Sequence, residues 1–320
     1  MLRDAILFFS ESRLARRIAT EAPFARDVAR RFVAGETITD AVAAARAAND
    51  DGMKVTLDYL GESVRNREEA EAAAAVYVDL LDRIAAESLD ANVSLKLTQM
   101  GQDIDEEFLF QNLRRVLDRA REKEIFVRFD MESSAYTQRT LDFFRRVCDE
   151  GYTNVGVVIQ SYLYRSEADV RMLNELGARV RLCKGAYKEP DSVAFPAKRD
   201  VDANFVRLMK LLLTGGVYPG IATHDEAMIR ATRDFARERS IPASAFEFQM
   251  LYGVRRDLQK QLVADGYNMR VYIPFGEAWY PYLMRRMAER PANLKFIIDA
   301  LVRESPLGFL VRRSENGRQG

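Results

Sequence analysis

The chain has 320 residues, of which 48% are apolar, and its 48 Lys and Arg residues balance 48 Asp and Glu residues. This neutral balance excludes binding of nucleic acid through a bulk basic excess, because no such excess is available to neutralise phosphates. A single histidine, His224, excludes a histidine-rich zinc or iron centre, so no metal site is expected.

The cellular compartment is suggested by the cysteines and by the apolar runs. Cys148 and Cys183 are too few for a disulfide framework, which fits a reducing compartment. The longest apolar runs are far too short to span a bilayer, and the first residues lack the apolar core of a signal peptide. We therefore expect a cytoplasmic protein.

Residues 1–50 are rich in alanine and poor in β-branched residues, which predicts a helical N-terminal extension. After Gly52, short β-branched or aromatic runs alternate with longer segments of helical period. The candidate strands are residues 54–58, 93–97, 125–130, 155–160, 179–183, 220–223, 246–249 and 270–273. Among the candidate helices are residues 68–87, 106–123, 203–213 and 279–289.

Eight strand-then-helix units predict a (β/α)8 TIM-type barrel with a helical N-terminal extension. Periodicity alone leaves an open, doubly wound sheet as the alternative. No linker interrupts the series, so residues 51–313 are interpreted as one catalytic barrel with C-terminal helices. The polar residues 314–320 are expected to form a flexible tail.

Polar side chains stand where the predicted strands end, and catalytic residues of such barrels collect at the carboxyl ends of the strands. The side chains concerned are Lys96, Asp130, Glu132, Gln160, Lys184, Thr223, His224, Asp225, Glu247 and Gln249. Separate salt bridges at the barrel mouth would account for any one of them, since buried charges need partners. Their number favours one shared ligand site.

Absent motifs narrow the chemistry further. No GxGxxG follows a strand, and neither a phosphate-binding GxxxxGK[ST] loop nor a GxSxG nucleophile motif occurs. Lys96 and Lys184 leave open a Schiff-base lysine of the kind used by barrel aldolases.

The predicted helix 279–289 places Tyr282, Arg285, Arg286 and Glu289 on one face, at i, i+3, i+4 and i+7. Two adjacent guanidinium groups facing the barrel mouth would form a receptor for a carboxylate. The alternative is a solvated surface helix.

Taken together, several segments resemble the proline dehydrogenase family. They run in order along the chain and are SLKL at 94–97, VRFDME at 127–132, RLCKGAY at 181–187, ATH at 222–224, FEFQMLYG at 246–253, YIPFG at 272–276 and YLMRR at 282–286. The length leaves no room for the extra domains of bifunctional relatives, so the resemblance implies a monofunctional bacterial form.

The resemblance implies a flavoprotein that takes part in proline catabolism. Its reaction would be oxidation of L-proline to 1-pyrroline-5-carboxylate, by hydride transfer from proline C5 to N5 of FAD. Electrons would then pass to a quinone or another acceptor, with at most a peripheral contact at the inner face of a membrane. An aldolase, and a barrel that senses amino acids without oxidising them, are kept as alternatives.

The resemblance also implies roles for individual residues. Asp130 and Arg181 would be catalytic. The substrate would be bound by Lys96, Arg285, Arg286, Tyr272 and Tyr282. The flavin would be contacted by Met131, Gln160, Arg181, Lys184, Gly185, Ala186, Tyr187, Thr223, His224 and Glu289.

A final hypothesis concerns Glu62, which follows the first strand in a segment that resembles the family's first βα loop. Strands 1 and 8 of a closed barrel are neighbours, so Glu62 and Arg285 would meet at its mouth and pair as a gate over proline. The alternative is that Glu62 is a solvated charge favoured by the dipole of the following helix.

Overall fold

The computed structural model describes residues 29–289, in which an α-helix is followed by alternating strands and helices. The strands are β1 (Lys54–Tyr59), β2 (Ala91–Leu95), β3 (Val127–Phe129), β4 (Val155–Gln160), β5 (Arg179–Cys183), β6 (Gly220–Ala222), β7 (Glu247–Leu251) and β8 (Asn268–Phe275). The helices are α1 (Ile38–Asp50), α2 (Arg67–Ala86), α3 (Glu106–Glu122), α4 (Ser134–Asp149), α5 (Ser166–Glu175), α6 (Lys198–Gly215), α7 (Glu226–Glu238), α8 (Arg256–Ala264) and α9 (Trp279–Glu289).

The strands form one closed barrel in sequence order, and every neighbouring pair is parallel. The closing pair joins β1 to β8, from Lys54 opposite Arg270 to Tyr59 opposite Phe275. Closure excludes the open doubly wound sheet and confirms the barrel predicted from the sequence. Parallel strands covered by helices are apolar over most of their length, as β4 is with all six residues buried.

Several helices begin at side-chain caps that the sequence supplies. Thr37 and Asp40 form a capping box at α1, with each side chain accepting the other's backbone N–H. The side chains of Asn66, Asp105 and Asp225 cap α2, α3 and α7, each by accepting one backbone N–H of the first turn. Such a cap stabilises a helix by about 1 kcal/mol, and it fixes where each loop at the barrel mouth ends.

The predicted bounds of β4 and β5 match the structure, whereas other strands differ from their predictions. β2 ends at Leu95, so Lys96 lies just beyond the strand and does not interrupt it. β3 ends at Phe129, which leaves Asp130 in the following loop. β8 is longer than predicted, because it pairs with β1 along the full length of that strand.

A short segment before α1 is attached to the carboxyl end of β8, at the barrel mouth. We call residues 29–36 the entry segment. Its Ala34 N–H donates to the Pro274 carbonyl at 2.9 Å, and its Gly35 carbonyl accepts from the Gly276 N–H at 2.9 Å. Ala29, Phe32 and Val33 pack with Leu60 and with an apolar face of α9, namely Trp279, Tyr280, Tyr282, Leu283 and Met284. The entry segment therefore holds α9 against the barrel.

The protein buries polar groups as well as apolar ones. Arg270 donates to Glu247 at 2.7 Å and to the Val55 carbonyl at 2.6 Å, and Glu247 is 1% exposed. Arg128 is equally buried and donates to the carbonyls of Val157 and Arg179 at 3.2 and 3.0 Å. Among residues 29–289, no helix combines the length and the apolar character that crossing a bilayer requires.

Candidate active site at the carboxyl ends of the strands

Asp130, in the loop after β3, accepts hydrogen bonds from three other strands of the barrel. One carboxylate oxygen accepts from Ser94 Oγ on β2 at 2.6 Å and from Arg181 Nη1 on β5 at 2.7 Å. The other oxygen accepts from the Tyr272 hydroxyl on β8 at 2.7 Å. Asp130 therefore links parts of the barrel that are distant in sequence, and it brings two predicted catalytic residues into direct contact.

Arg181 is held by its other edge as well. Its Nε donates to Gln249 Oε1 on β7 at 2.5 Å, and its Nη1 reaches Ser94 Oγ at 3.2 Å. The guanidinium carbon lies 5.1 Å from the centre of the Tyr272 ring, within the range of a cation–π contact. Its Nη2 is buried without a hydrogen-bond partner. The Nη2 group of a guanidinium that is fixed through its other two nitrogens is thus left to bind a ligand.

Lys96 and Asp58 form a second charged pair beside Asp130. The Lys96 Nζ lies 3.5 Å from Asp58 Oδ2, and the Asp58 side chain is 1% exposed. Tyr77, on α2, donates from its hydroxyl to the Ser94 carbonyl at 2.8 Å and lies 3.5 Å from Asp58 Oδ1. Lys96 thus carries its ammonium group at the barrel mouth next to the Asp130 cluster.

Burial and mutual attraction set the ionisation of these groups. Burial alone would raise the pKa of Asp130, but Arg181 and Lys96 hold it below its ordinary value. Burial raises the pKa of Asp58 despite the opposing effect of Lys96. Burial would lower the pKa of Lys96, yet Asp58 and Asp130 raise it above its ordinary value. Near neutral pH, Asp130 is therefore a carboxylate and Lys96 an ammonium ion.

A further group of predicted residues lies after β4, β5 and β6. Gln160, 3% exposed, donates to the Glu132 carbonyl at 3.2 Å, while its own Oε1 is buried without a hydrogen-bond partner. Lys184 forms ion pairs with Asp202 and, at 2.8 Å, with Asp225. Lys184 is thus fixed by two carboxylates, of which the sequence reasoning named Asp225 as a polar strand end and missed Asp202.

Gly185 and His224 have specific geometries in the same region. Gly185 has φ +108°, and a Cβ there would lie 2.4 Å from the Tyr162 ring, so only glycine fits. His224 Nε2 accepts from the Leu251 N–H at 2.9 Å, which assigns the ring proton to Nδ1. The backbone N–H of Thr223 donates to the Gln249 carbonyl at 3.1 Å. Strand β7 therefore positions both residues of the Thr223–His224 pair.

The remaining predicted residues divide into two groups. Met131 is buried beside Asp130, Ala186 and Tyr187 are half-buried after β5, and Tyr282 is buried on α9. The backbones of Arg285, Arg286 and Glu289 lie in α9, but their side chains are outside the described residues. The Glu62–Arg285 pair therefore remains a prediction.

The loop that carries Glu62 is shaped by a close contact at Gly61. A Cβ at Gly61 would lie 2.5 Å from Gln99 Nε2, and that amide donates to the Tyr59 carbonyl at 3.0 Å. Gly61 thus permits a close approach of Gln99, whereas the positive φ of this loop, +54°, belongs to Ser63.

The placement of Glu247 among polar groups at the carboxyl strand ends is wrong. Glu247 pairs with Arg270. Strand β7 begins one residue later and extends two residues further than predicted, so Glu247 is its first residue and lies at its amino end. Sequence reasoning also missed Asp58 and Ser94, which are opposite each other in the β1–β2 register. Two buried polar residues at matched positions of adjacent apolar strands were the available signal.

The polar cluster lies at the carboxyl ends of a closed parallel barrel, which is the arrangement of a (β/α)8-barrel enzyme. The family model described as proline dehydrogenase matches residues 41–299. Proline dehydrogenase 1 of Bacillus subtilis strain 168 is 43% identical over 304 residues, covering 95% of this chain and all of that protein. The proline dehydrogenase of Deinococcus radiodurans is 41% identical over 307 residues, covering 95% and 98%. The chain belongs to the proline dehydrogenase family, which confirms the resemblance found in its sequence.

A solved structure agrees with the barrel. The crystal structure of proline utilization A from Bdellovibrio bacteriovorus, inactivated by N-propargylglycine, superposes with a TM-score of 0.80 at 28% identity. The match covers 93% of this chain and 36% of that longer one.

Proposed function

We propose that the protein oxidises L-proline to 1-pyrroline-5-carboxylate with FAD as its bound cofactor. The observation that carries the proposal is the fixed Arg181 guanidinium, whose Nη2 is buried and unpartnered in a chain of this family. A buried donor without a partner costs about 1–3 kcal/mol, so an occupant that accepts a hydrogen bond would remove that cost. When bound, the flavin accepts the electrons removed from proline.

The polar atoms of this region fit a flavin. Gln160 Oε1 and Arg181 Nη2 are a buried acceptor and a buried donor on neighbouring strands, and both lack partners. A flavin ring carries acceptor carbonyls and a ring N–H, so it matches such a mixed set, and a cation near its pyrimidine end favours the reduced form. Gly185 lets the Tyr162 ring pack against the backbone after β5, next to Lys184. We assign Met131, Gln160, Lys184, Gly185, Ala186, Tyr187, Thr223, His224 and Glu289 to the flavin side.

The substrate side is assigned to charged and aromatic residues. Lys96 keeps its positive charge near neutral pH and would pair with the proline carboxylate, together with Arg285 and Arg286. Tyr272 and Tyr282 would line the proline ring. Holding a carboxylate by several cations fixes the orientation of the ring, and orientation alone contributes a large part of such a rate enhancement.

The test is the visible spectrum of the purified protein, before and after anaerobic addition of L-proline. We expect a flavin spectrum that bleaches with L-proline, and FAD that is released on denaturation. A colourless protein, or a flavin that proline does not reduce, would contradict the proposal. Reduction of a soluble quinone by the proline-reduced protein would then test the proposed electron acceptor.

A Schiff-base aldolase is the alternative reaction, and the lysines argue against it. A Schiff-base lysine needs a neutral amine, which requires a lowered pKa. The pKa of Lys96 is instead raised by Asp58 and Asp130, and Lys184 is paired with two carboxylates. Borohydride should therefore trap no substrate on the protein.

A further inference from the structure

Gln249 lies between a cation and an anion in the interior of the protein. Its side-chain oxygen accepts from Arg181 Nε at 2.5 Å, and its side-chain nitrogen donates to Glu247 Oε1 at 2.6 Å. The residue is 3% exposed. A neutral amide offers an acceptor to the guanidinium and a donor to the carboxylate at the same time, so both contacts determine the amide's orientation.

The barrel wall is shaped to let Gln249 reach Arg181. The two residues belong to β7 and β5, and β6 lies between these strands. At Gly220 on β6, a Cβ would lie 2.3 Å from Gln249 Nε2 and 2.8 Å from its Cδ. The φ of Gly220 is not in the left-handed region, so its lack of a side chain serves this contact and not a backbone turn.

The Gln249 amide is itself anchored to the barrel. Glu247 accepts from Arg270 Nε at 2.7 Å, and Arg270 Nη1 donates to the Val55 carbonyl on β1 at 2.6 Å. The chain of contacts thus runs from the backbone of β1, through Arg270, Glu247 and Gln249, to the Nε edge of Arg181. Asp130 holds the opposite edge.

We propose that Gln249 is a positioning residue that sets the angle of the Arg181 guanidinium, so that Nη2 faces the bound cofactor. Anchors at Nε and at Nη1 fix the plane of the guanidinium, whereas the contacts with Asp130 and Ser94 both involve Nη1 and alone leave rotation about that nitrogen. The inference rests on the proposed function, because it gives Arg181 a flavin to face. It assigns to Gln249 an effect on the reaction that involves no contact with the substrate.

Two variants test the proposal: one removes the amide group of Gln249, and the other displaces it. Gln249→Met keeps the volume of the side chain and removes both hydrogen bonds, while Gly220→Ala leaves Gln249 in place and displaces its amide. Both should keep FAD content and the KM for proline within about twofold, and should lower kcat by about 10- to 100-fold, the loss expected from misplacing a reacting group. The reduction potential of the bound flavin should fall in both.

Gln259→Met is the matched control. Gln259 is also 3% exposed, but its side chain donates only to the backbone carbonyls of Leu251, the last residue of β7, and of Val254. This variant should lose stability and keep the wild-type kcat and flavin potential.

The outcomes separate the inference from the proposed function. A wild-type protein without flavin would overturn both. A yellow wild-type protein that proline reduces, with normal kcat and flavin potential in Gln249→Met, would overturn only the positioning role. If Gln249→Met does not fold, Gly220→Ala decides on the same two quantities. An equal loss of kcat in Gln259→Met would also overturn the proposal, because the effect would then be general to buried glutamines.

Discussion

Replacing Glu247 by glutamine should destabilise the protein far more than removing a carboxylate from its surface. Glu247 is 1% exposed and accepts from Arg270 and from Gln249. Glu247→Gln preserves the shape of the side chain and removes its charge. Arg270 and the nearby Arg128, both buried, would then face no compensating carboxylate at this position.

The expected magnitude follows from this burial. Breaking a buried pair by removing one partner costs about 3–5 kcal/mol, because an uncompensated charge remains. Glu167 supplies the surface comparison, since it pairs with Arg171 and Arg207, whose side chains are 58% and 67% exposed. Glu167→Gln should cost about 1 kcal/mol or less. In a domain of roughly this size, 1 kcal/mol changes Tm by about 2–4 °C.

The effect should depend on pH in a defined direction. Burial opposes ionisation of Glu247, but Arg270 and Arg128 hold its pKa below the ordinary value. The unfolded chain therefore binds the proton at higher pH than the folded one. Stability from this group is complete above the pKa of an unfolded glutamate, about 4.3, and is lost as pH falls through the folded pKa. The difference between wild type and Glu247→Gln should narrow in acid.

Urea or thermal unfolding of wild type and the two variants, near pH 7 and near pH 3, measures both quantities. Combining Glu247→Gln with Arg270→Met should cost less than the two single changes added, since the second change removes the orphaned charge. A cost for Glu247→Gln no larger than that for Glu167→Gln would refute the reasoning, and so would a cost that does not change with pH.

Three further results are expected. Arg285→Met or Arg286→Met should weaken proline binding by about 2–5 kcal/mol with FAD content unchanged; loss of FAD at normal KM would reverse the assigned roles. Glu62→Ala should impair turnover or proline affinity without releasing FAD. The double variant Glu62→Ala with Arg285→Met should lose less activity than the two single variants added together, and strictly additive losses would argue against the gate. Because partial burial raises the pKa of Cys148 to about 11, iodoacetamide at pH 8 should modify it on the order of 100-fold more slowly than a free thiol; reaction at the free-thiol rate would contradict the raised pKa.

The order of the strands and their helices could be predicted because each depends on local patterns. Residues 155–160 form a short, mostly apolar run, and residues 179–183 contain Val180, Leu182 and Cys183 interspersed with two arginines; the predicted and observed strands coincide at both. The position of a residue along the barrel axis cannot be predicted from the local sequence pattern. It depends on the register between strands, so Glu247 was expected at the carboxyl ends and lies at the start of β7.

Partners across the barrel were equally beyond local patterns. Arg181 and Asp130 were expected in one site from the family resemblance, but the contact of Arg181 with Gln249 depends on the absence of a side chain at Gly220, which only the closed barrel reveals. Lys184 was predicted as a polar residue at the end of a strand. The pattern could not show that its ion-pair partners lie on α6 and at the N-terminal cap of α7. Such pairings arise from elements that meet only after folding.

The packing of the entry segment on α9 implies that the substrate side of the site opens separately from the barrel strands. Residues 29–36 and α9 share one apolar cluster, and α9 carries the two arginines proposed to bind the proline carboxylate. Elements that bury each other open together, with a free energy below that of global unfolding. Amide hydrogen exchange should therefore report one common opening for Val33 and Leu283, separate from that of the barrel strands. Proline affinity would then decline on warming before the barrel melts, as the two elements detach as one unit.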